Sequence, residues 1–545
     1  MNKQALLLFA LFAIQLCKSQ SGPVVQIQNG VVRGIYNVTI WKSMNFSSFK
    51  GIRYAKAPFG VLRFQPPVPV DPWDGILDAT EHGSICTQFS NSLQTLLGSE
   101  DCLSINVYTP DTNFTGPLKL KPVMAWIYGG AYEVGYSNYT LYGPDYMIEQ
   151  NVVVVTFNYR LGTFGFLALN HPDALGNAGL KDQYLALRWI NQNIAAFGGD
   201  PNQITIFGES AGAVSVGFHV LSDRATGLFS KAILMSGVPL CSWAQQTPDE
   251  AYDNAYRLAL MLGHEPTSTE DLLNFFIKVP AYDLANATKW LNGIFELPFR
   301  PTIENIALDY NNTAYITQCS LMKYKNGNFS KVPTMIGYTH DENLFFVSRC
   351  FFVALEQTES VELVALENYR DGNTPIGHTL LELRNRTTIK EINIFVKVGT
   401  DVSFIGPIDL TQKLLATNND DKPIYYYRQS YESPYPLHKV YFSVPYNGVS
   451  HFDDVSYIWR LNKIIVPTDP NDPYYQYIHK MVSLWTNFAK YGNPTPEGDS
   501  PINITWIPSG VEGLQVDLNT TFTMHNRLAD LTASMVEILL NITCT

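Results

Sequence analysis

Gly208-Glu209-Ser210-Ala211-Gly212 sets a serine among small residues, directly after the apolar run Ile204 to Phe207. At a sharp strand-to-helix turn, such a serine has its hydroxyl held clear of the sheet. The flanking glycines let neighbouring backbone pass close by. The bare G-x-S-x-G pattern is common by chance, and the strand before it and the small-residue helical stretch after it give it weight. A serine hydroxyl is a poor nucleophile at neutral pH, so it needs a base, and the base needs an orienting acid. Around an elbow of this kind the order is Ser, then Asp or Glu, then His. Gly337-Tyr338-Thr339-His340-Asp341-Glu342 offers an acid, and Gly448-Val449-Ser450-His451-Phe452-Asp453-Asp454 offers a base. Spacing alone does not choose Glu342 over Asp341, or His451 over the other nine histidines. Tyr128-Gly129-Gly130-Ala131-Tyr132 follows another apolar run. Its small residues leave backbone N–H groups free to point at a developing oxyanion.

These groups need a rigid frame. Val123 to Tyr128, Val152 to Tyr159, Ile204 to Phe207, Ala232 to Met235, Thr334 to Tyr338 and Ile424 to Tyr427 read as strands covered on both faces, being almost continuously apolar. Between two of them, Ala186, Trp189, Ile190, Ile194 and Phe197 recur at helical spacing within Lys181 to Phe197, and Gly198-Gly199-Asp200-Pro201 is expected to stop that helix. Strand, helix, strand is the crossover unit of an α/β sheet. Asp249 to Lys289 reads as mainly helical, a cap or side layer of the same domain. There is no internal repeat, low-complexity tract or long linker.

The 545 residues are 46% hydrophobic and only 16% charged, which favours one large core. The net charge of −12, with no basic stripe, argues against a nucleic-acid partner. Lys3, the apolar run Ala5 to Leu16 and Cys17-Lys18-Ser19 read as a secretory signal over residues 1–19, too short to span a bilayer. Residues 20–545 are then expected to form one domain, with no transmembrane helix. Sequons begin at Asn37, Asn45, Asn113, Asn138, Asn286, Asn311, Asn328, Asn385, Asn503, Asn519 and Asn541, and they agree with export. The C-terminus is not a retention signal, so a secreted, extracellular glycoprotein is expected. Removing Cys17 leaves six cysteines, which allow fifteen pairings. Only Cys86 and Cys102 are near neighbours, and closing such a loop is worth about 3 kcal/mol.

The mature chain resembles the cholinesterase/carboxylesterase branch of the α/β-hydrolases, particularly the insect carboxylesterases. The resemblance is carried by Phe49-Lys50-Gly51-Ile52-Arg53-Tyr54-Ala55, by Ser99 to Tyr108, by Asn158-Tyr159-Arg160-Leu161-Gly162, by Asn193 to Pro201 and by Phe207 to Gly212. It implies an α/β-hydrolase fold: a large, mixed, mostly parallel central sheet flanked by helices. It also implies hydrolysis of carboxylic esters through an acyl-enzyme, with no metal or organic cofactor. By motif, Ser210 becomes the nucleophile, Glu342 the acid and His451 the base. The N–H groups of Gly130, Ala131 and Ala211 become the oxyanion hole. Cys86 pairs with Cys102, and Arg63 with Glu100. The pairing of Cys241, Cys319, Cys350 and Cys544 stays open. Glu209 is read as a hydrogen-bonded support beside the nucleophile. Three positions depart from the common pattern. Tyr128 stands where many carboxylesterases have His, Ala131 where a third Gly is usual, and Asn343 where Gly follows the acid.

The loop from Cys86 to Cys102 contains no Trp, the residue whose face holds a quaternary ammonium in cholinesterases, and Phe89 is its only aromatic. Phe295-Glu296-Leu297-Pro298-Phe299 falls where the family builds its acyl pocket. An uncharged, apolar small-molecule ester is therefore the expected substrate. Two alternatives accompany this reading. One is a specialised hormone or odorant esterase, although juvenile-hormone esterases typically carry Gln where Glu209 stands. The other is a non-catalytic adhesion member of the fold, although those typically lack a residue of the triad.

Overall fold

The computed structural model describes residues 22–90, 95–291, 297–347, 389–527 and 530–543. In chain order its strands are β1 (Val24–Ile27), β2 (Gly30–Arg33), β3 (Ile35–Val38), β4 (Asn45–Arg53), β5 (Ile76–Asp78), β6 (Gln88–Ser90), β7 (Thr95–Leu97), β8 (Ser104–Thr109), β9 (Lys121–Ile127), β10 (Val153–Phe157), β11 (Gly199–Glu209), β12 (Lys231–Met235), β13 (Thr334–Thr339), β14 (Ile424–Gln429), β15 (Gln515–Leu518) and β16 (Thr523–His525). Among the described residues, eleven form one sheet in the order β16-β15-β14-β13-β12-β11-β9-β10-β8-β4-β3. Neighbours from β10 to β15 run parallel, and antiparallel strands close both edges. This is the α/β-hydrolase arrangement. The six apolar runs are all strands of this sheet. Every residue of β10, β12 and β13 is buried, as a sheet covered on both faces requires.

Helix α1 (Ala178–Asn193) is the crossover from β10 to β11. It ends earlier than the spacing suggests. Ile194–Phe197 tightens into a 3-10 turn, and Gly199 already pairs with Lys121 of β9. Pro201 is accommodated because the register shifts between Gly199 and Ile204. Helix α2 (Ala211–Leu221) follows β11. The expected helical layer is α3 (Pro248–Met261), α4 (Thr269–Lys278) and α5 (Ala281–Leu291). Thr247 and Glu250 close a capping box at the start of α3, with Pro248 in its first turn. Farther on, α6 (Ile389–Thr400) passes through a π-helical turn, Asp401–Ile405, into α7 (Gly406–Asn418). Then come α8 (Leu437–Phe442), α9 (Pro473–Tyr491) and α10 (Asp530–Thr543). No helix among the described residues is long and apolar enough to cross a membrane.

The sheet order places the site. After β9 the chain builds β10 on one side, then returns through α1 to lay β11 on the other. Loops leaving the carboxyl ends of β9 and β11 therefore diverge, and a crevice opens between them. Beneath it, Trp126, Phe207 and Trp459 pack ring against ring with centroids 4.8 to 5.9 Å apart. Burying one such side chain is worth roughly 2–3 kcal/mol, so the floor is stiff.

Candidate active site

β11 delivers Ser210 to the crevice at φ 58° and ψ −129°, a conformation that a serine rarely adopts. The surroundings enforce it. Ser210 N donates to Met235 O at 2.9 Å. A Cβ on Gly212 would lie 2.0 Å from Ile127 O, so only glycine lets α2 leave so close to β9. Among the described residues the Ser210 hydroxyl has no hydrogen-bond partner. The residue is 9% exposed, so the hydroxyl is reachable but shielded.

The loop after β9 lies against this serine: a Cβ on Gly129 would sit 2.9 Å from Ser210 Cβ. Gly130, Ala131 and Tyr132 all have positive φ, at 107°, 59° and 63°. Successive residues of this kind curl the backbone into a concavity lined by N–H groups. Gly130 O takes the N–H of Glu133 and of Val134, each at 3.0 Å. Among the described residues, the N–H groups of Gly130 and Ala131 have no acceptor. Nor has that of Ala211, the first residue of α2, where the helix dipole favours negative charge.

Glu342 is fully buried three residues past β13. Its Oε1 accepts Thr339 N at 2.8 Å, and its Oε2 lies 2.6 Å from His451 Nδ1. His451 N donates to Glu342 O at 3.3 Å. A carboxylate at Nδ1 makes that nitrogen the N–H donor and leaves Nε2 for chemistry. Asp341, the alternative acid, has other work. Its Oδ1 lies 2.9 Å from His340 Nδ1, and its Oδ2 accepts Val449 N at 3.0 Å. The structure thus brings Glu342 and His451 together and turns Asp341 to the backbone of the histidine loop.

Glu209 is buried, with Oε1 3.2 Å from His451 Nε2. The pair is close enough for charge attraction but not aligned as a hydrogen bond, and Oε1 has no hydrogen-bond donor. Its influence through that oxygen is therefore electrostatic, which differs from the hydrogen-bonded support expected. Burial pushes Glu209 up to about 7, with His451 pulling it down and Glu342 pushing it up. Burial pulls His451 down, yet the Glu209 and Glu342 carboxylates outweigh it and push the ring up to about 9. Two aromatic rings flank the imidazole: Phe404, from the π-helical turn, at 5.0 Å, and Phe345 at 6.4 Å. Neither was singled out in the sequence. Phe345 lies three residues past Glu342, but nothing local marks Phe404. A π-helical turn is a frequent companion of functional sites.

The Cys86–Cys102 disulfide is present. Arg63 grips Glu100 in a two-pronged pair at 2.7 and 2.8 Å, and its Nη1 donates to Phe276 O and Val279 O, which ties this loop to the end of α4. Gln88 exchanges two hydrogen bonds with Gly135, linking the loop to the glycine turn. The Phe89 ring carries Lys289 Nζ 3.8 Å above its centroid. Of the acyl-pocket stretch, Phe295 and Glu296 lie outside the described residues, while Phe299 is buried. Cys241 is free and buried, Cys319 is disulfide-bonded, and Cys350 and Cys544 lie outside the described residues. Asn385 also lies outside them. Of the other sequon asparagines, none is buried.

A mixed sheet, a strained serine at its switch point, a buried acid–histidine pair and a pocket of free N–H groups define a hydrolase of the α/β-hydrolase class. Residues 21–531 match the family described as the Carboxylesterase family. Juvenile hormone esterase of Heliothis virescens is 32% identical over 527 residues, covering 93% of this chain and 92% of that protein. Venom carboxylesterase-6 of Apis mellifera is 33% identical over 520 residues, covering 90% and 89%. The crystal structure of juvenile hormone esterase from Manduca sexta, with OTFP covalently attached, superposes with a TM-score of 0.81 at 27% identity, over 96% of this chain and all of that one. The chain belongs to the carboxylesterase family and is a carboxylic ester hydrolase acting on small ester molecules.

Proposed function

We propose that Ser210 is the nucleophile of a secreted carboxylesterase, with His451 as its base, Glu342 as the acid that orients the base, and an acyl-enzyme as its intermediate. The observation that carries this reading is the 2.6 Å contact between Glu342 Oε2 and His451 Nδ1, in the same crevice as the strained Ser210. Ser210 Oγ attacks the ester carbonyl carbon as His451 Nε2 takes its proton. The carbonyl oxygen becomes an oxyanion and receives the N–H groups of Gly130, Ala131 and Ala211. Collapse breaks the ester C–O bond, and the alcohol leaves with the proton from His451. Water then repeats the attack on the acyl-serine, and the acid departs. Export follows from the signal-like residues 1–19 and from sequon asparagines that stay at least partly exposed; residues 20–545 then form one domain. An uncharged, apolar ester suits the rings of Phe345 and Phe404 beside His451.

The test is covalent labelling. An organophosphate should modify one residue per chain, identified by peptide mapping as Ser210, and Ser210→Ala should be secreted and folded yet inert. Labelling at any other residue overturns the assignment. A second reading, a specialised hormone esterase, is favoured by the relatives named juvenile hormone esterase. At 32% against 33%, identity does not separate them from the carboxylesterase. A panel of esters differing in acyl and alcohol size, with juvenile hormone among them, does: preference for juvenile hormone by orders of magnitude selects the hormone reading.

A further inference from the structure

Three consecutive N–H groups end at His451, and each has a defined acceptor. Val449 N donates to Asp341 Oδ2 at 3.0 Å, Ser450 N to Asp453 Oδ2 at 2.8 Å and His451 N to Glu342 O at 3.3 Å. Asp453 belongs to a second, fully buried acid–histidine pair. Its Oδ1 accepts His438 N at 2.9 Å, and its Oδ2 lies 2.6 Å from His438 Nδ1. The other ring nitrogen, Nε2, lies 2.9 Å from Tyr446 O. Both ring nitrogens of His438 therefore face acceptors only, one a carboxylate and one a carbonyl. A neutral imidazole has one N–H and satisfies one of them; an imidazolium satisfies both. As a cation, His438 bonds to Tyr446 and Asp453, five residues before His451 and two after it.

We propose that His438 is a positioning residue: charged, it staples the 446–453 loop closed through Asp453 and Tyr446, and so holds His451 in register with Glu342. This rests on His451 being the base. The groups that face His438 agree with a charged ring. Asp453 comes from the turn after His451, and Asp341 from the end of β13. Lys439, next to it on α8, is a cation, but its ammonium is directed to Asn447 Oδ1 at 2.6 Å and Glu432 Oε1 at 3.4 Å. Burial works against the charge, but Asp453 and the Tyr446 carbonyl outweigh burial and Lys439 and hold the ring above its ordinary value. The staple is thus closed below that raised value and opens as the pH rises through it. Misplacing a catalytic group by about 1 Å can cost on the order of a hundredfold in rate, so opening should lower kcat and spare KM.

The experiment uses full-length secreted protein and a neutral ester. His438→Gln should lower kcat by about tenfold or more and leave KM within about twofold. Wild type should lose kcat at alkaline pH while its circular dichroism is unchanged, and that limb should be absent in His438→Gln. Asp453→Asn should show a similar loss, and the double variant should be no worse than either single one, because all three break one staple. A His438→Gln enzyme with wild-type kcat, or with the alkaline limb intact, overturns the proposal. If neither variant is secreted folded, the wild-type profile decides: a kcat that does not fall anywhere in the alkaline range, with the fold intact, overturns it. His451→Ala separates the two readings. If that variant keeps hydrolysing esters, His451 is not the base. If it is inert while His438→Gln is normal, the staple alone fails.

Discussion

Asp341 and Glu342 are adjacent in the chain, and both serve His451, at different levels. Glu342 Oε2 meets the ring at 2.6 Å, while Asp341 Oδ2 meets the backbone of Val449, two residues earlier, at 3.0 Å. Residues past the end of a strand need not alternate strictly, and here the turn after β13 sends one carboxylate to the loop that presents the imidazole and the next to the imidazole itself.

The two acids should therefore fail differently. Glu342→Gln should lower kcat/KM by several orders of magnitude, because an amide neither fixes the Nδ1–H tautomer well nor stabilises the imidazolium. Asp341→Asn should cost far less, since an amide oxygen still accepts from Val449 N. Steady-state kinetics on a neutral ester decides. Equal losses, or a larger one at Asp341, would move the acid by one position.

Glu209→Gln should shift the acid limb of the kcat/KM profile to lower pH. Burial pulls His451 down, and the Glu209 and Glu342 carboxylates push it up to about 9. Catalysis needs the neutral ring, so activity rises as pH passes that value. Removing one of the two carboxylates lowers it, by about one unit or more for a charge this close. An unmoved limb, or one displaced to higher pH, would show that Glu209 does not set the basicity of His451.

Choline esters should be poor substrates. The one described aromatic face in the Cys86–Cys102 loop, that of Phe89, already has Lys289 Nζ 3.8 Å above it. A substrate cation there would meet a like charge instead of the attraction, worth about 2 kcal/mol, that a desolvated ring can offer. The comparison is kcat/KM for acetylcholine against 3,3-dimethylbutyl acetate, its uncharged isostere. A preference for choline of about tenfold or more would reveal a cation site elsewhere.

Arg63→Met should destabilise the protein by about 3–5 kcal/mol. It would strand the mostly buried Glu100 carboxylate and the carbonyls of Phe276 and Val279. Arg63→Met/Glu100→Gln should recover part of that loss, since it no longer leaves an unpaired charge. Chemical denaturation measures both. Equal stability of Arg63→Met and wild type would make the pair ornamental.

The sequence by itself determined the frame. Short continuous apolar runs bounded by turn residues read as strands buried on both faces, and the helical spacing after Lys181, set between two of them, reads as a crossover. The glycines around Ser210 are legible locally because the elbow is a local feature: strand, strained turn and helix lie within a few residues. Helix and strand edges were less legible: the helix ends at Asn193, before the glycine-proline stop signal, and pairing of Gly199 with Lys121 of β9 starts the next strand inside that signal. The tertiary structure decided the rest. It brought Glu342 rather than Asp341 to the His451 ring, because those partners lie 109 residues apart and meet only when β13 and the loop before Val455 dock. It also gave Glu209 its contact with His451, set Phe404 beside that ring and paired His438 with Asp453. A hydrogen bond depends on tenths of an ångström and on direction, and neither is encoded in spacing along a chain. Only the packed sheet, with its floor of Trp126, Phe207 and Trp459, holds the groups at those distances.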